Sequence, residues 1–378
     1  MLIFNRRFNE DNLLANFIVG YFFFQAINSM VKLGFGDFAG WEILVRGILA
    51  ILLAMALIPI LYRKFLVFVL WETCCVMVFM ESWFLGNIDP SVFNPTFFNA
   101  ITVFIPMAVS FLALKDSTIL LKRFYLFAWP SLVVLAFTMI HSLANFNHEY
   151  SMSGGYSLLL WFLVLADHFL ETHSITDVIG CCIAFLLILF AGSRGPMICI
   201  ACFIAIKLLF SRQLSLSKRI MFFIILLSCA LIMYLFYVQI LTFLLDIATK
   251  FGFSGRSISL FLSDLGHDSG RLEGFKEYSY LIHIRPLLGY GVASWFGSGG
   301  YPHNIFIEFL YSFGVILGPI LFLTWIGLLI RGLLQRNIAN SRLFHILLSI
   351  SAMFLVSGTF TTSPIFFLGL GVCTKKRD

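Results

Sequence analysis

Residues 42–86 read EILVRGILAILLAMALIPILYRKFLVFVLWETCCVMVFMESWFLG. Two apolar runs, 42–62 and 65–86, meet at the basic pair Arg63–Lys64. Each run is close to the ~20 apolar residues that a helix needs to cross the hydrocarbon core of a bilayer. Lipid offers no hydrogen-bond partner, so such a run must satisfy its backbone internally, as a helix. The stretch therefore reads as two transmembrane helices joined at a charged membrane face. Glu72 lies deep in the second run, where an ionised carboxylate is costly, and a structural pair is the expected state. Glu81, toward the far end of that run, reads as interfacial.

The rest of the chain follows the same pattern. Over 378 residues, 60% are hydrophobic and 12% charged, and mean hydropathy is +0.96. A globular domain carries about 25% charged residues, so this chain cannot cover itself with an ordinary polar surface. Further apolar runs fall at about 13–31, 97–114, 124–142, 155–170, 175–192, 196–210, 220–240, 304–330, 342–358 and, shorter, 363–373. With the first two they give about twelve spans. The expected fold is all-α: one polytopic membrane domain over residues 1–378, with a single large polar loop at 241–303. The polar start, Met1 to Asp11, lacks a signal-peptide pattern, and the first apolar run is expected to remain as an anchor.

The formal charge of +6 is spread as short clusters between runs, which is orientation signalling and not a nucleic-acid stripe. With a cytoplasmic N-terminus, the inside loops carry Arg6 and Arg7, Arg63 and Lys64, and Lys115, Lys122 and Arg123. Further along come Arg212, Lys218 and Arg219, then Arg331, Arg336 and Arg342, and last Lys375, Lys376 and Arg377. The short outside loops hold only Lys32 and Arg194. Both termini are thus expected inside and the 241–303 loop outside. The inside loop at 167–174, DHFLETHS, lacks any Lys or Arg. Arg46 and Lys207, near segment ends, are expected to snorkel to the interface. The eight cysteines lie in or beside apolar runs, so no disulfide framework is expected. The CxxC at Cys199 and Cys202 reads as small apolar helix residues.

Chemistry gathers in two places. AGSRGPM, residues 191–197, breaks one helix and starts another with Gly192, Gly195 and Pro196. Arg194 sits there against the orientation rule, which favours a functional role for it. The second place is 268–308, DSGRLEGFKEYSYLIHIRPLLGYGVASWFGSGGYPHNIFIE. A helix is expected from a cap at Asp268 or Ser269 to Pro286, resting Leu272, Phe275, Ser279 and Ile282 on the membrane domain. Arg271 then lies in its first turn, where a cation opposes the helix dipole and an anionic ligand would account for it. Glycines return the chain to PHN, with His303 and Asn304 at the outer tip of the next helix and Glu308 a turn inward. Histidine suits proton transfer near neutral pH.

AGSRG before a helix, GRLEGFKEYSYLIHIRPLLGYG, and PHNIFIEFLYSFGVIL before a final helical pair resemble the O-antigen polymerase and O-antigen ligase superfamily. The resemblance spans about 150–373 and is most specific at 191–197 and 268–318. An arginine ten residues before a glycine, paired in some polymerases, is not reproduced cleanly here. The resemblance implies a GT-C-like, multi-pass protein of the bacterial inner membrane. It would transfer glycan from an undecaprenyl-pyrophosphate-linked donor on the outer face, in O-antigen or capsule synthesis. It places the turn arginine on Arg194, the loop arginine on Arg271 and the histidine on His303 as catalytic residues. Asn304, Arg285, Tyr290 and Glu308 are the candidate substrate-binding residues.

The donor carries its own leaving group, so stabilising pyrophosphate charge is the main task, and guanidinium groups suit it. No Asp-x-Asp box faces outward, and neither metal nor cofactor is expected. A flippase and a chain-length regulator are the partners that such a pathway implies. Polymerase is the leading reading, ligation of finished polymer to lipid A core the second. A flippase or permease is the third, disfavoured because there is no internal repeat, only one deep carboxylate, Glu72, and a polar content gathered outside.

Overall fold

The computed structural model describes residues 10–35, 39–85, 88–144, 152–191, 194–211, 215–250, 259, 262, 271–294 and 300–375. Among these there is no strand. The helices are α1 (Glu10–Phe35), α2 (Ala39–Leu85), α3 (Pro90–Asn99), α4 (Ile105–Ala113), α5 (Ser117–Ala144), α6 (Met152–Thr172) and α7 (Ile175–Phe190). They continue with α8 (Gly195–Phe210), α9 (Leu216–Lys250), α10 (Arg271–Ile284), α11 (Ile305–Leu333), α12 (Ile338–Ser351) and α13 (Pro364–Thr374). A π-helical turn, Ala100–Phe104, joins α3 to α4, and a 3₁₀ turn, Ala352–Leu355, extends α12.

Among the described residues five helices are long and apolar enough to cross a membrane, against about twelve expected spans. One of them, Ile43–Leu85, contains both opening runs, because Lys64 (φ −139°, ψ 31°) breaks α2 between them. Other expected spans appear as short apolar helices, among them Ile175–Phe190, Gly195–Phe210 and Pro364–Thr374. The loop expected from 241 starts later, since α9 runs on to Lys250.

The chain forms two compact units: Met1–Gly20, Ile48–Leu120 and Asp268–Asp378, and Tyr21–Gly47 with Leu121–His267. The first has two chemically different ends. At one, Asp11 accepts hydrogen bonds from Arg63 Nη1 (2.5 Å) and from the N–H groups of Lys115 (3.2 Å) and Asp116 (3.0 Å). Arg63 also pairs with Glu10 and donates to the Ala113 carbonyl. Burial opposes charge on Asp11, but Arg63 and the backbone donors outweigh it and hold the carboxyl below its usual range. Lys375 donates to the Leu114 carbonyl (2.8 Å) and Ser117 Oγ (3.0 Å), and Gln335 to the Val372 carbonyl. Three basic clusters assigned to one membrane face, at Arg63, Lys115 and Lys375, therefore meet at one end.

The other end carries the glycine-rich return. There Arg285 Nη1 reaches the Leu85 carbonyl (3.4 Å), and a Cβ on Gly291 would stand 2.4 Å from Ser82 Oγ.

Between these ends α11 departs from the single span expected at 304–330. Gly314 (φ 73°, ψ 177°) breaks it, and the Phe306 ring stands only 5.1 Å from that of Phe322. In a straight helix those residues would be ~24 Å apart. Residues 305–313 and 315–333 are the two arms of a helical hairpin with its vertex at Gly314. A Cβ on Gly318 would come within 2.7 Å of the Phe309 carbonyl, so the arms approach backbone to backbone.

α13 has 11 residues. From Lys375 at the basic end such a helix climbs ~16 Å, about half of the ~30 Å hydrocarbon core. The non-helical segment 356–363 therefore stands about half a span from the basic end, and Phe360 stacks on Phe309 of the first hairpin arm (4.8 Å, 9°).

The second unit pairs its buried charges. Lys207, 1% exposed, does not snorkel but forms an ion pair with Asp167, also 1% exposed. A short apolar helix packed on a neighbour leaves its ammonium no route to the interface. His168 meets Asp177 at 2.7 Å and stacks on Tyr125. Arg46 is exposed, and Cys199 and Cys202 form no disulfide. Glu72, in the first unit, contradicts its expected pairing: both carboxyl oxygens are buried without a hydrogen-bond partner among the described residues.

Candidate active site

The site is built around the turn that starts α11. Asn304 caps the first arm, its Oδ1 accepting from the N–H groups of Phe306 (3.0 Å) and Ile307 (3.3 Å). His303 precedes it with φ 56°, a left-handed conformation uncommon for side chains larger than glycine. Such strain persists where the surroundings over-determine the backbone. Here they do. Tyr301 Oη donates to the Ser357 carbonyl (2.6 Å), and Asn304 Nδ2 to the Leu355 carbonyl (3.4 Å). The carboxylate of Glu308 accepts from Thr359 Oγ1, from the Phe360 N–H (3.3 Å) and from Thr361 Oγ1 (3.5 Å). The His303 ring is half-buried beside that of Tyr301, centroids 4.3 Å apart.

Two expectations change. Because α11 folds back, Gly314 and not the His303–Asn304 turn takes the tip of this element. Glu308, expected a turn inward as a substrate-binding residue, is 1% exposed with both oxygens engaged by the 359–361 stretch.

The glycine-rich return is stitched into the break in α11. Tyr290 N–H donates to the Tyr311 carbonyl (2.8 Å), Gly291 N–H to the Ser312 carbonyl (2.9 Å), and Val315 N–H to the Pro286 carbonyl (2.7 Å). The break frees the acceptors that a continuous helix would have used internally. Gly289 (φ 69°) permits the approach, since a Cβ there would stand 2.5 Å from the Tyr311 carbonyl.

Above this seam Tyr278, Tyr290 and Tyr311 form one core. Tyr290 stacks on Tyr311 (4.8 Å, 9°), and Tyr278 meets it edge-on at 5.0 Å. Tyr278 Oη donates to the Gly300 carbonyl, and burial pushes its phenol up, keeping it a neutral donor. Arg285 lies over the Tyr290 ring (5.1 Å), exposed to solvent. Tyr290 is thus a buried support for an exposed arginine. The face that α10 buries centres on Tyr278, Leu281 and Ile282 and leaves Ser279 exposed, one position away from the expected face, because the tyrosine ring reaches the core that a serine cannot fill.

Arg271 opens α10; its side chain and the expected caps Asp268 and Ser269 lie outside the described residues. In the second unit Arg194 occupies the N-cap position of α8, its carbonyl accepting from Met197 (3.2 Å) and Ile198 (3.4 Å). Its guanidinium is half-exposed and makes no hydrogen bond or ion pair among the described residues.

Sequence reasoning missed Ser357, Thr359, Thr361 and the tyrosine core. The visible signal was the polar run SGTFTTS, 357–363, which was divided between two spans and a connection.

A search of curated proteins found no match. Residues 179–323 match a protein-family model described as O-antigen ligase. They include the Arg194 turn, α10, the return and the His303 hairpin. The match supports the resemblance to the O-antigen polymerase and ligase superfamily over this part of the chain.

Proposed function

We propose that the protein is a glycosyltransferase of the outer face of the bacterial inner membrane. In this reading it joins undecaprenyl-pyrophosphate-linked repeat units of O-antigen or capsule. The observation that carries the reading is the setting of its two arginines. Arg194 and Arg271 each stand at the start of a helix, where a cation opposes the dipole and a bound anion is favoured by dipole and guanidinium together.

In the transfer, an acceptor hydroxyl forms a bond to the anomeric carbon as the bond to undecaprenyl pyrophosphate breaks, with inversion. The arginines take up the charge that develops on the leaving pyrophosphate. His303 receives or orients the acceptor proton. The description of the matched family favours a second reading, transfer of finished polymer to lipid A core.

Two experiments test the frame. The gathering of Arg63, Lys115 and Lys375 at the end of the first unit away from the His303 turn supports an outward-facing site and cytoplasmic termini. In a background without native cysteines, Ser279→Cys on exposed α10 should then react with a membrane-impermeant thiol reagent in intact spheroplasts, and Ser217→Cys should not. The reverse pattern would overturn the orientation. Arg194→Lys and Arg271→Lys should each remove most transfer despite keeping charge, because lysine lacks the bidentate fork. Near-normal product length at equal expression would reduce that arginine to a surface charge. Transfer should persist in chelator, and a strict divalent-ion requirement would contradict the metal-free reading.

A further inference from the structure

We infer that segment 356–363 is a third element of the transfer site, and that Glu308 is the positioning residue that holds it against the His303 turn. The inference rests on the reading of His303 given above and adds a region beyond the matched residues 179–323.

Three observations carry it. The first is an unusual carboxylate. Glu308 is 1% exposed, sits about half a span from the basic end by helix length, and pairs with no cation among the described residues: its partners are Thr359, Phe360 N–H and Thr361. A buried carboxylate served only by neutral donors is costly in such a place. An apolar side chain would pack the hairpin at less cost, so packing does not explain the choice of glutamate.

The second observation is where those donors come from. All lie on one non-helical stretch between the 3₁₀ turn and α13. Irregular backbone at membrane depth is tolerated only where protein or a water-filled cavity satisfies it. Thr359 Oγ1 and Thr361 Oγ1 stand 2.8 Å apart, so Glu308 organises the pair.

The third is how the stretch meets the turn. Tyr301, Asn304 and Glu308 bind it in register, at Ser357, Leu355 and 359–361. His303, with its left-handed backbone, lies inside that span of contacts. Loosening the Glu308 contact releases one side of the clamp, and a small displacement of a reacting group costs ~100-fold in rate.

The experiment uses full-length protein in detergent or nanodiscs, with lipid-linked oligosaccharide extracted from a strain lacking this protein as substrate. Glu308→Gln keeps shape and loses the second full acceptor. Thr359→Val keeps shape and loses the donor, and serves even if Glu308→Gln fails to insert. Both should lower kcat ~10–100-fold, leave donor KM within about twofold of the parent, keep the thermal midpoint, and alter the pH profile of kcat, since the acid–base group is displaced. Full kcat with an unchanged pH profile in either variant, while His303→Ala is inactive, would overturn the positioning role and leave the transfer reading intact. Activity loss explained wholly by a lowered thermal midpoint would also overturn it. An active His303→Ala would instead remove the site reading on which this one rests.

Discussion

Gly314→Ala is expected to lower transfer ~100-fold or more while the protein still inserts and is expressed. The backbone at Gly314, φ 73° and ψ 177°, lies in a region essentially reserved for glycine, where another residue costs ~1–3 kcal/mol. The new Cβ would also stand 2.2 Å from the Leu287 carbonyl, backbone that cannot move without opening the seam. Both the return, carried by the Tyr290, Gly291 and Val315 hydrogen bonds, and the first hairpin arm depend on that vertex. Arg285, on its tyrosine support, and His303 would therefore shift together. Gly327→Ala, in the second arm, is the matched control. A Cβ there meets nothing within 4 Å, and alanine is the better helix former by ~0.5–1 kcal/mol. Product length on gels at equal expression reads the result. Full-length product from Gly314→Ala would mean that the seam is dispensable for transfer.

That glycine shows where the sequence stopped being legible. Composition and run length identified a helical membrane protein, since lipid leaves a long apolar run no other backbone solution. They also located the turn at Arg194, the helix start at Asn304 and the end of α10 before Pro286, because caps and prolines act locally. Gly314 stands in FGVILG, which reads as uninterrupted span. Nothing local distinguishes a glycine tolerated in a helix from one that reverses it; the difference lies in the carbonyls of Pro286 and Leu287, contributed from another part of the chain. Lys207 and Glu72 failed likewise. Both are single charges in apolar runs, and pairing for one but not the other depends on the facing helix. Thr359 and Thr361 read as a short connection because their partner, Glu308, is about fifty residues away.

A cell lacking this protein is expected to make lipid A core carrying at most one repeat unit. A polymerase extends glycan while it is still on undecaprenyl pyrophosphate, and the downstream ligase can transfer a single unit without it. Loss of a ligase would leave core without any repeat and long glycan still lipid-linked. His303→Ala, normally inserted, should match the deletion. An acceptor hydroxyl that is neither activated nor oriented blocks every round of extension, and general-base loss alone costs ~10²–10⁴-fold. The mutation leaves the tether from Tyr301 to Ser357 and the Asn304 cap in place, so a folding defect is not the expected cause. Alanine keeps the left-handed backbone of His303 at modest strain, and His303→Asn, which tolerates that conformation better, separates strain from chemistry. Both variants should be inactive if the imidazole is what matters. In an envelope without lipid A, the equivalent readout is unpolymerised capsule repeat. Long undecaprenyl-linked polymer in the deletion strain would replace polymerase by ligase. Normal long surface glycan from His303→Ala would take that histidine out of the site.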